Sequence, residues 1–385
     1  MKGKLSHHKF VPSQLWRHKR NLQNWKGMVI TMNNIERIRQ AMPEYKCDAM
    51  LVTDKINRLF ATGFPSSDGV LIVTANDAWL IVDSRYFEAA QATVEDAKIV
   101  LVAKNEKMTD CLEAVIKEND VASIGFEDSS ISYATYREWT ERFGVAMVPA
   151  QMLINNLRKI KTRADIDKMI KAQRLAEKVY NEILPIISTD MTEKDLAAEI
   201  IYRSLRNGAD DRSFDPIVVS GPKSSRPHGV PSEEKVGKGF LTIDFGVCLD
   251  GWCSDTTRTL CIGKPNAEMV RVYDTVLEAQ DAGIKAVHSG VRGADVDAAA
   301  RDVIENAGYG EFFGHGFGHS LGLEVHESLK ASPLSEDVLP AGAVISAEPG
   351  IYLPGRFGVR IEDVLYVTDN GCENITELPK SLVVL

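Results

Sequence analysis

Hydrophobic and polar positions divide the chain into two unlike halves. From residue 35 to about 150, short continuous apolar runs alternate with amphipathic stretches. AMLVTD (49–54), GVLIVTA (69–75), AWLIVD (78–83), KIVLVA (98–103) and ASIGFED (122–128) have strand length and are apolar throughout, as expected of strands covered on both faces. Between them, residues 85–92 and 108–117 show helical periodicity, as does NNIERIRQAM (33–42) before them. This alternation predicts a small α/β domain with a largely buried sheet. Near residue 153 the pattern changes. LRKIKTRADIDKMIKAQRLAEKVYNEILP carries apolar residues at Ile166, Met169, Ile170, Leu175, Ala176, Val179, Tyr180 and Ile183, which predicts one long amphipathic helix ending at Pro185. Thr192 and Asp195 have capping-box spacing and start a helix expected to run through Leu205. Beyond it, helices alternate with antiparallel-looking hairpins, an α+β pattern. The expected division is a basic, disordered extension over 1–31, an amino-terminal domain over 32–153 and a second domain over 154–385.

Composition narrows this picture. With 44% hydrophobic and 26% charged residues in 385, the chain reads as globular with a sizeable core. No run of 18 apolar residues exists, so no membrane span is expected. The six cysteines form no CxxC pair; Cys248 and Cys253 can meet across a hairpin, but free thiols in a reducing cytoplasm are expected. Residues 1–34 hold seven Lys or Arg and no acid, leaving about −9 − 7 = −16 on the remainder. A basic tail can bind nucleic acid or anionic lipid; here it is read as a dispensable extension lacking the apolar core of a signal peptide.

Candidate chemistry lies in three stretches of the second half. In FLTIDFGVCLDGWCSDTTRTLCI (240–262), Asp250-Gly251 is a hairpin turn signal, so opposed residues have numbers summing to 501. Asp255 then faces Gly246, and Asp244 becomes its diagonal neighbour at a Cα separation of about 7–8 Å. Two carboxylates this close repel unless a cation joins them, and Gly246 is expected to leave room for one. Singly, Asp244 also reads as a strand-end cap and Asp255 as a turn residue. The triplet DFG lacks the phosphate and catalytic loops of a kinase, which excludes that function. In SAEPGIYLPGRFGVRIEDVLYVT (346–368), Glu348 precedes a Pro-Gly turn, and Arg360 and Glu362 share one face of a strand, either as an ion pair or beside a metal. GHGFGHSLGLEVHE (314–327) holds three of the eight histidines, on backbone with too many glycines for a helix. His288 reads as packing on an apolar helix, and His7, His8 and His18 as solvated tail residues.

Taken in order, Asp244, Asp255, His319, Glu348 and Glu362, within DFG, SDTTRT, HGFGHSLGLEVHE, AEPG and RIED, resemble the M24 peptidase family of pita-bread metallopeptidases. The resemblance covers 155–385, and NRLFATGF and LIVDSRYFEAA add a weaker likeness to the creatinase/prolidase amino-terminal domain. It implies an α/β domain followed by an α+β pita-bread catalytic domain, in the Xaa-Pro aminopeptidase and prolidase branch. It further implies two divalent ions: Asp244 on one, His319 and Glu348 on the other, Asp255 and Glu362 bridging. An oxygen-rich ligand set favours Mn²⁺, with Co²⁺ or Zn²⁺ as alternatives. A hydroxide shared by the metals would attack the scissile carbonyl, with Glu348 as general base. His326 would hydrogen-bond the oxyanion or the carbonyl before proline, His315 would contact substrate near the scissile bond, His228 would line the proline pocket, and Arg360 would orient the bridging carboxylates. The expected activity is release of the amino-terminal residue from Xaa-Pro peptides; a dipeptidase restricted to Xaa-Pro is the rival, and a non-catalytic pita-bread binding protein the remote one. A cytoplasmic homodimer with no nucleic-acid or membrane partner completes the implication.

Overall fold

A computed structural model describes residues 32–385, so the readings made for 1–31 lie outside the described residues. All five apolar runs of the first half form strands: β1 Ala49–Val52, β2 Val70–Thr74, β3 Ala78–Val82, β4 Lys98–Leu101 and β5 Ser123–Phe126. A sixth, β6 Ala146–Pro149, completes one mixed sheet in the order β4-β3-β2-β1-β5-β6. Strands β1 to β3 are buried along their whole length, whereas the edge strands β4 and β6 are partly exposed. Apolar continuity thus reports position in the sheet. Helices α1 Asn34–Ala41, α2 Lys55–Thr62, α3 Phe87–Thr93, α4 Met108–Glu118 and α5 Tyr133–Phe143 accompany it. Asp54 caps α2 by accepting from the N–H groups of Ile56 and Asn57, so the polar end of the β1 run doubles as a helix start.

The long helix expected through Pro185 is two. α6 Gln151–Arg158 stops, and α7 Arg163–Ile183 begins afresh with a capping box between Thr162 and Asp165, a start signal that outweighs the continuous apolar stripe. Buried residues of α6 (Leu153, Ile154, Leu157) and α7 (Ile166, Met169) share one core with the first sheet and with Trp252, Leu321 and Leu323 further on. The Thr192–Asp195 box opens α8 Glu193–Arg206 as expected.

The remainder is α+β. It runs through β7 Asp211–Arg212, β8 Ile217–Ser220, β9 Gly239–Phe245, β10 Val247–Leu249, β11 Trp252–Cys253 and β12 Thr256–Ile262. Helices α9 Ala267–Ala286 and α10 Gly293–Asn306 follow, then β13 Gly318–His319, β14 Lys330–Ala331, β15 Val344–Ala347, β16 Gly350–Leu353, β17 Phe357–Arg360, β18 Asp363–Val367 and β19 Cys372–Asn374. Helices α9 and α10 cover β15 to β18 through one apolar core, and α7 and α8 cover β8 and β9 through another. The strands form small separate sheets, among them β12-β9-β8, β11-β10-β7, β15-β18-β19 and β16-β17. The site therefore sits where several short ladders end. His288 lies past the end of α9, exposed, with Nδ1 3.0 Å from the Ser289 carbonyl, so the packing role expected for it is not observed. Cys248 and Cys253 are free thiols facing each other across the hairpin, Sγ to Sγ 3.3 Å.

Candidate metal centre

Asp250 and Gly251 make the turn with φ of 51° and 80°, the left-handed pair that a two-residue hairpin needs. The register is the one the turn dictates: Cys248 opposes Cys253 and Thr257 opposes Asp244, each pair summing to 501. The ladder pauses between β11 and β12, where Asp255 stands. Gly246 has a different role from the one expected of it. A Cβ there would lie 1.9 Å from the Ser254 carbonyl oxygen and 2.9 Å from Ser213 Oγ, so glycine is required for the two strands to close on each other, not to make space for a cation. That closure sets Asp244 and Asp255 side by side.

The other members come from later chain breaks. His319 ends β13, Glu348 falls between β15 and β16, and Glu362 between β17 and β18. The glycine-rich histidine segment is extended here, not helical. At Gly318 a Cβ would meet the Ser346 carbonyl at 2.0 Å, and this close approach, with the His319 N–H donating to Ser346 Oγ at 3.0 Å, brings His319 beside Glu348. The Glu362 N–H donates to the Thr257 carbonyl at 3.1 Å and ties the last member to β12. Arg360 and Glu362 do meet the same group, although β17 ends at Arg360: Thr257 Oγ1 donates to Glu362 Oε2 at 2.7 Å and accepts from Arg360 Nε at 3.1 Å.

Asp255, His319 and Glu362 each offer a ligand atom within 4.8 Å of the others. His319 Nε2 is 3.7 Å from Asp255 Oδ2 and 3.1 Å from Glu348 Oε1. Asp244 Oδ2 accepts from Arg360 Nη2 at 2.5 Å. Arg360 thus grips Asp244 itself and reaches Glu362 only through Thr257.

Electrostatics are those of a site built for cations. Burial, reinforced by the charge of Asp244, pushes the Asp255 carboxyl well above the usual carboxylate range, and burial with the charge of Asp255 does the same to Glu362. Burial also raises Asp244, against the opposing pull of Arg360. For His319, burial works against the charged form, yet the Glu348 hydrogen bond and the charges of Glu348 and Asp255 win and bring it to about 9. Glu348 answers in kind: its burial is outweighed by His319 and its carboxyl falls to about 2. Asp244 Oδ1 and Glu362 Oε1 are buried with no hydrogen-bond partner among the described residues. An unpaired buried carboxylate oxygen is costly, and a divalent ion resolves it. The donor set, four carboxylates and one imidazole, fits hard divalent cations.

Around this centre stand the remaining expected residues. The His326 ring packs against that of His319 with centroids 4.2 Å apart. His228 lies exposed on a loop whose Pro227 carbonyl accepts from Arg360 Nη1 at 3.2 Å. His315 has both ring nitrogens engaged, Nδ1 donating to the Gly316 carbonyl at 2.8 Å and Nε2 2.9 Å from the Tyr352 hydroxyl. Tyr352 went unnoticed in the sequence. Its hydroxyl also accepts from Arg360 Nη1 at 2.9 Å, and burial pushes it up to about 12, so it stays a proton donor to His315.

Comparison with known proteins fits this geometry. Residues 167–369 match the model of metallopeptidase family M24, and residues 34–160 match that of the creatinase/prolidase N-terminal domain. A protein named Xaa-Pro dipeptidase from Pyrococcus furiosus is 34% identical over 352 residues, 91% of this chain and 99% of the relative. Among solved structures, an Xaa-Pro dipeptidase from Bacillus anthracis superposes with a TM-score of 0.88 at 37% identity, covering 91% of this chain and 99% of that one. An X-Pro aminopeptidase from Thermotoga maritima gives 0.86 at 34%, covering 90% and 100%. An α/β creatinase-type domain followed by an α+β catalytic domain of pita-bread type is thus the architecture, and the chain belongs to metallopeptidase family M24.

Proposed function

We propose that this protein hydrolyses the peptide bond preceding proline, releasing the amino-terminal residue from Xaa-Pro peptides. The observation that carries the reading is the buried carboxylate cluster with its two unpartnered oxygens, in a chain of this family. With His319 neutral, as a metal ligand must be, Asp244, Asp255, Glu348 and Glu362 against Arg360 leave the centre at −4 + 1 = −3 when all are ionised, more than one divalent cation can neutralise. Two ions are therefore proposed, with Mn²⁺ as occupant; Asp244, Asp255, His319, Glu348 and Glu362 would hold them. When bound, they supply Lewis acidity toward the scissile carbonyl and lower the pKa of water.

The chain's own groups do the rest. Glu348 Oε1 is held by Ser346 Oγ at 3.1 Å and by His319, so Oε2 is the oxygen that accepts the proton as water attacks. His326, which partial desolvation of its ring and the neighbouring His319 hold below its usual pKa, is neutral at pH 7 and donates to the carbonyl oxygen before proline. His228 lines the proline pocket. His315, with both nitrogens engaged, meets the substrate with its ring and fixes the Tyr352–Arg360 pair behind Asp244.

A second reading, a dipeptidase restricted to Xaa-Pro, is favoured by the printed names of the Pyrococcus furiosus and Bacillus anthracis relatives. The same centre serves both. Hydrolysis of an Xaa-Pro dipeptide and an Xaa-Pro-Ala tripeptide by Mn²⁺-loaded protein, beside a chelated control, separates them. Cleavage of the tripeptide supports the aminopeptidase, cleavage of the dipeptide alone makes the protein a prolidase, and cleavage of neither defeats both. The proposal extends to a cytoplasmic homodimer divided at 31/32 and 153/154, without nucleic-acid or membrane partners. No helix among the described residues is long and apolar enough to cross a membrane.

A further inference from the structure

Glu327 follows His326 and takes no part in the centre described above. Its carboxylate, 6% exposed, is shared by two buried cations. Oε2 accepts from Lys161 Nζ at 2.6 Å; Oε1 accepts from Arg158 Nη2 at 2.7 Å and from the Leu323 N–H at 3.2 Å. Arg158 Nη2 also meets Glu324 Oε2 at 2.6 Å, and Nη1 donates to Asn57 Oδ1 at 2.8 Å. Asn57 lies on α2, where its Nδ2 donates to Glu127 Oε1 at 2.7 Å. Glu127 Oε2 in turn accepts from the N–H groups of Thr53 and Asp54. A continuous polar chain therefore links the end of β1 and the start of α2 to the residue beside His326.

The segment it holds has no regular structure. Residues 321–328 form bends, closed at one end by the Glu327 N–H donating to the Ser320 carbonyl at 2.7 Å. His326 itself is exposed and hydrogen-bonds to none of the described residues; its ring contact is His319. Its location is thus inherited from its neighbour. The void between Arg158, Lys161, Trp252, Leu323 and Glu327 is about 10 Å³, room for at most one water. Buried ion pairs are poor sources of stability compared with apolar packing, but they impose one geometry, and Arg158 presents a rigid fork that lysine cannot imitate.

We infer that Glu327, clamped by Arg158 and Lys161, is a positioning residue that fixes where His326 presents its imidazole to the substrate. The inference rests on the proposed function for the contact between His326 and substrate. Through Asn57 the amino-terminal domain takes part in that placement.

The test is a double-mutant cycle on Xaa-Pro-Ala hydrolysis, with kcat normalised to folded, Mn²⁺-loaded protein. Glu327→Gln keeps the shape and the acceptor for Leu323 while removing the charge. It is expected to lower kcat about 10- to 100-fold, the range for residues that orient catalytic groups, with metal content unchanged. In a His326→Ala background the same change is expected to add no further loss, because its target is gone. Arg158→Lys, which keeps the charge and loses the fork, is expected to behave alike and carries the test should Glu327→Gln fail to fold. Losses that multiply in the double mutants overturn the inference while leaving His326 its role. A His326→Ala protein as active as the parent overturns that role, and the inference with it.

Discussion

Asp255→Asn preserves the side chain's size and removes one charge from the most crowded part of the centre. In the metal-free protein that charge is a burden: the carboxyl is 4% exposed, and burial plus Asp244 hold its pKa far above the usual value. A carboxyl whose folded pKa is raised contributes its full stability below the unfolded value, about 3.9, and loses it as pH rises toward the folded one. The metal-free parent should therefore fall behind metal-free Asp255→Asn as pH rises above about 4, and the difference should vanish in more acid solution. With metal the order reverses. An ion at a hundred times its dissociation constant stabilises the folded state by about 2.7 kcal/mol. At about 2 °C per kcal/mol for a chain of this size, Tm should rise by about 5 °C. Differential scanning calorimetry of both proteins, chelated and with Mn²⁺, across pH 4 to 8 or so, measures each term. The parent should gain the full rise, and the mutant little of it and no turnover. A mutant that keeps the parent's metal-dependent rise, or is less stable than the parent when both are metal-free at pH 7, refutes the assignment of Asp255 as a shared ligand.

Other outcomes follow from the same geometry. His319→Ala should fold and bind less metal, with peptide hydrolysis abolished; undiminished turnover would remove it from the centre. Gly246→Ala should cost about 1–3 kcal/mol or more, since its Cβ meets the Ser254 carbonyl at 1.9 Å, and should weaken metal binding by parting Asp244 from Asp255; an unchanged Tm and affinity would show the strands more pliant than described. Removing residues 1–31 should leave kcat/KM unchanged, because both family matches begin beyond them, and a large fall would give that segment a role.

Local signals carried much of this protein. The Asp250-Gly251 turn determined a register that held for eleven residues on either side of it, because side-chain alternation and turn geometry leave one pairing. Buried strands β1 to β3 were legible as unbroken apolar runs, whereas β6 was not, since half its residues face solvent and a proline ends it. The α6–α7 break was hidden by a stripe of apolar residues that continues across it; only Thr162 and Asp165 marked it. In the centre, ligand types and order were readable, but partners far apart in sequence were not. Arg158 and Glu327 are 169 residues apart, and nothing in either neighbourhood announces the other. Nothing in the sequence singled out Tyr352, and only its contacts with His315 and Arg360 give its hydroxyl a purpose.

The candidate ligands are spread along the chain from Asp244 to Glu362, so the centre cannot form until synthesis has passed the last of them. A chain halted before that point carries Asp244, Asp255 and His319 without Glu362, the buried carboxylate that stands beside Asp255 and His319. Incomplete translation products and carboxyl-terminally clipped fragments would accordingly be inert, however well their amino-terminal sheet has folded. Proteolytic power is thereby withheld until Glu362 has been added, a safeguard for any cell that must make a peptidase among its own unfinished proteins.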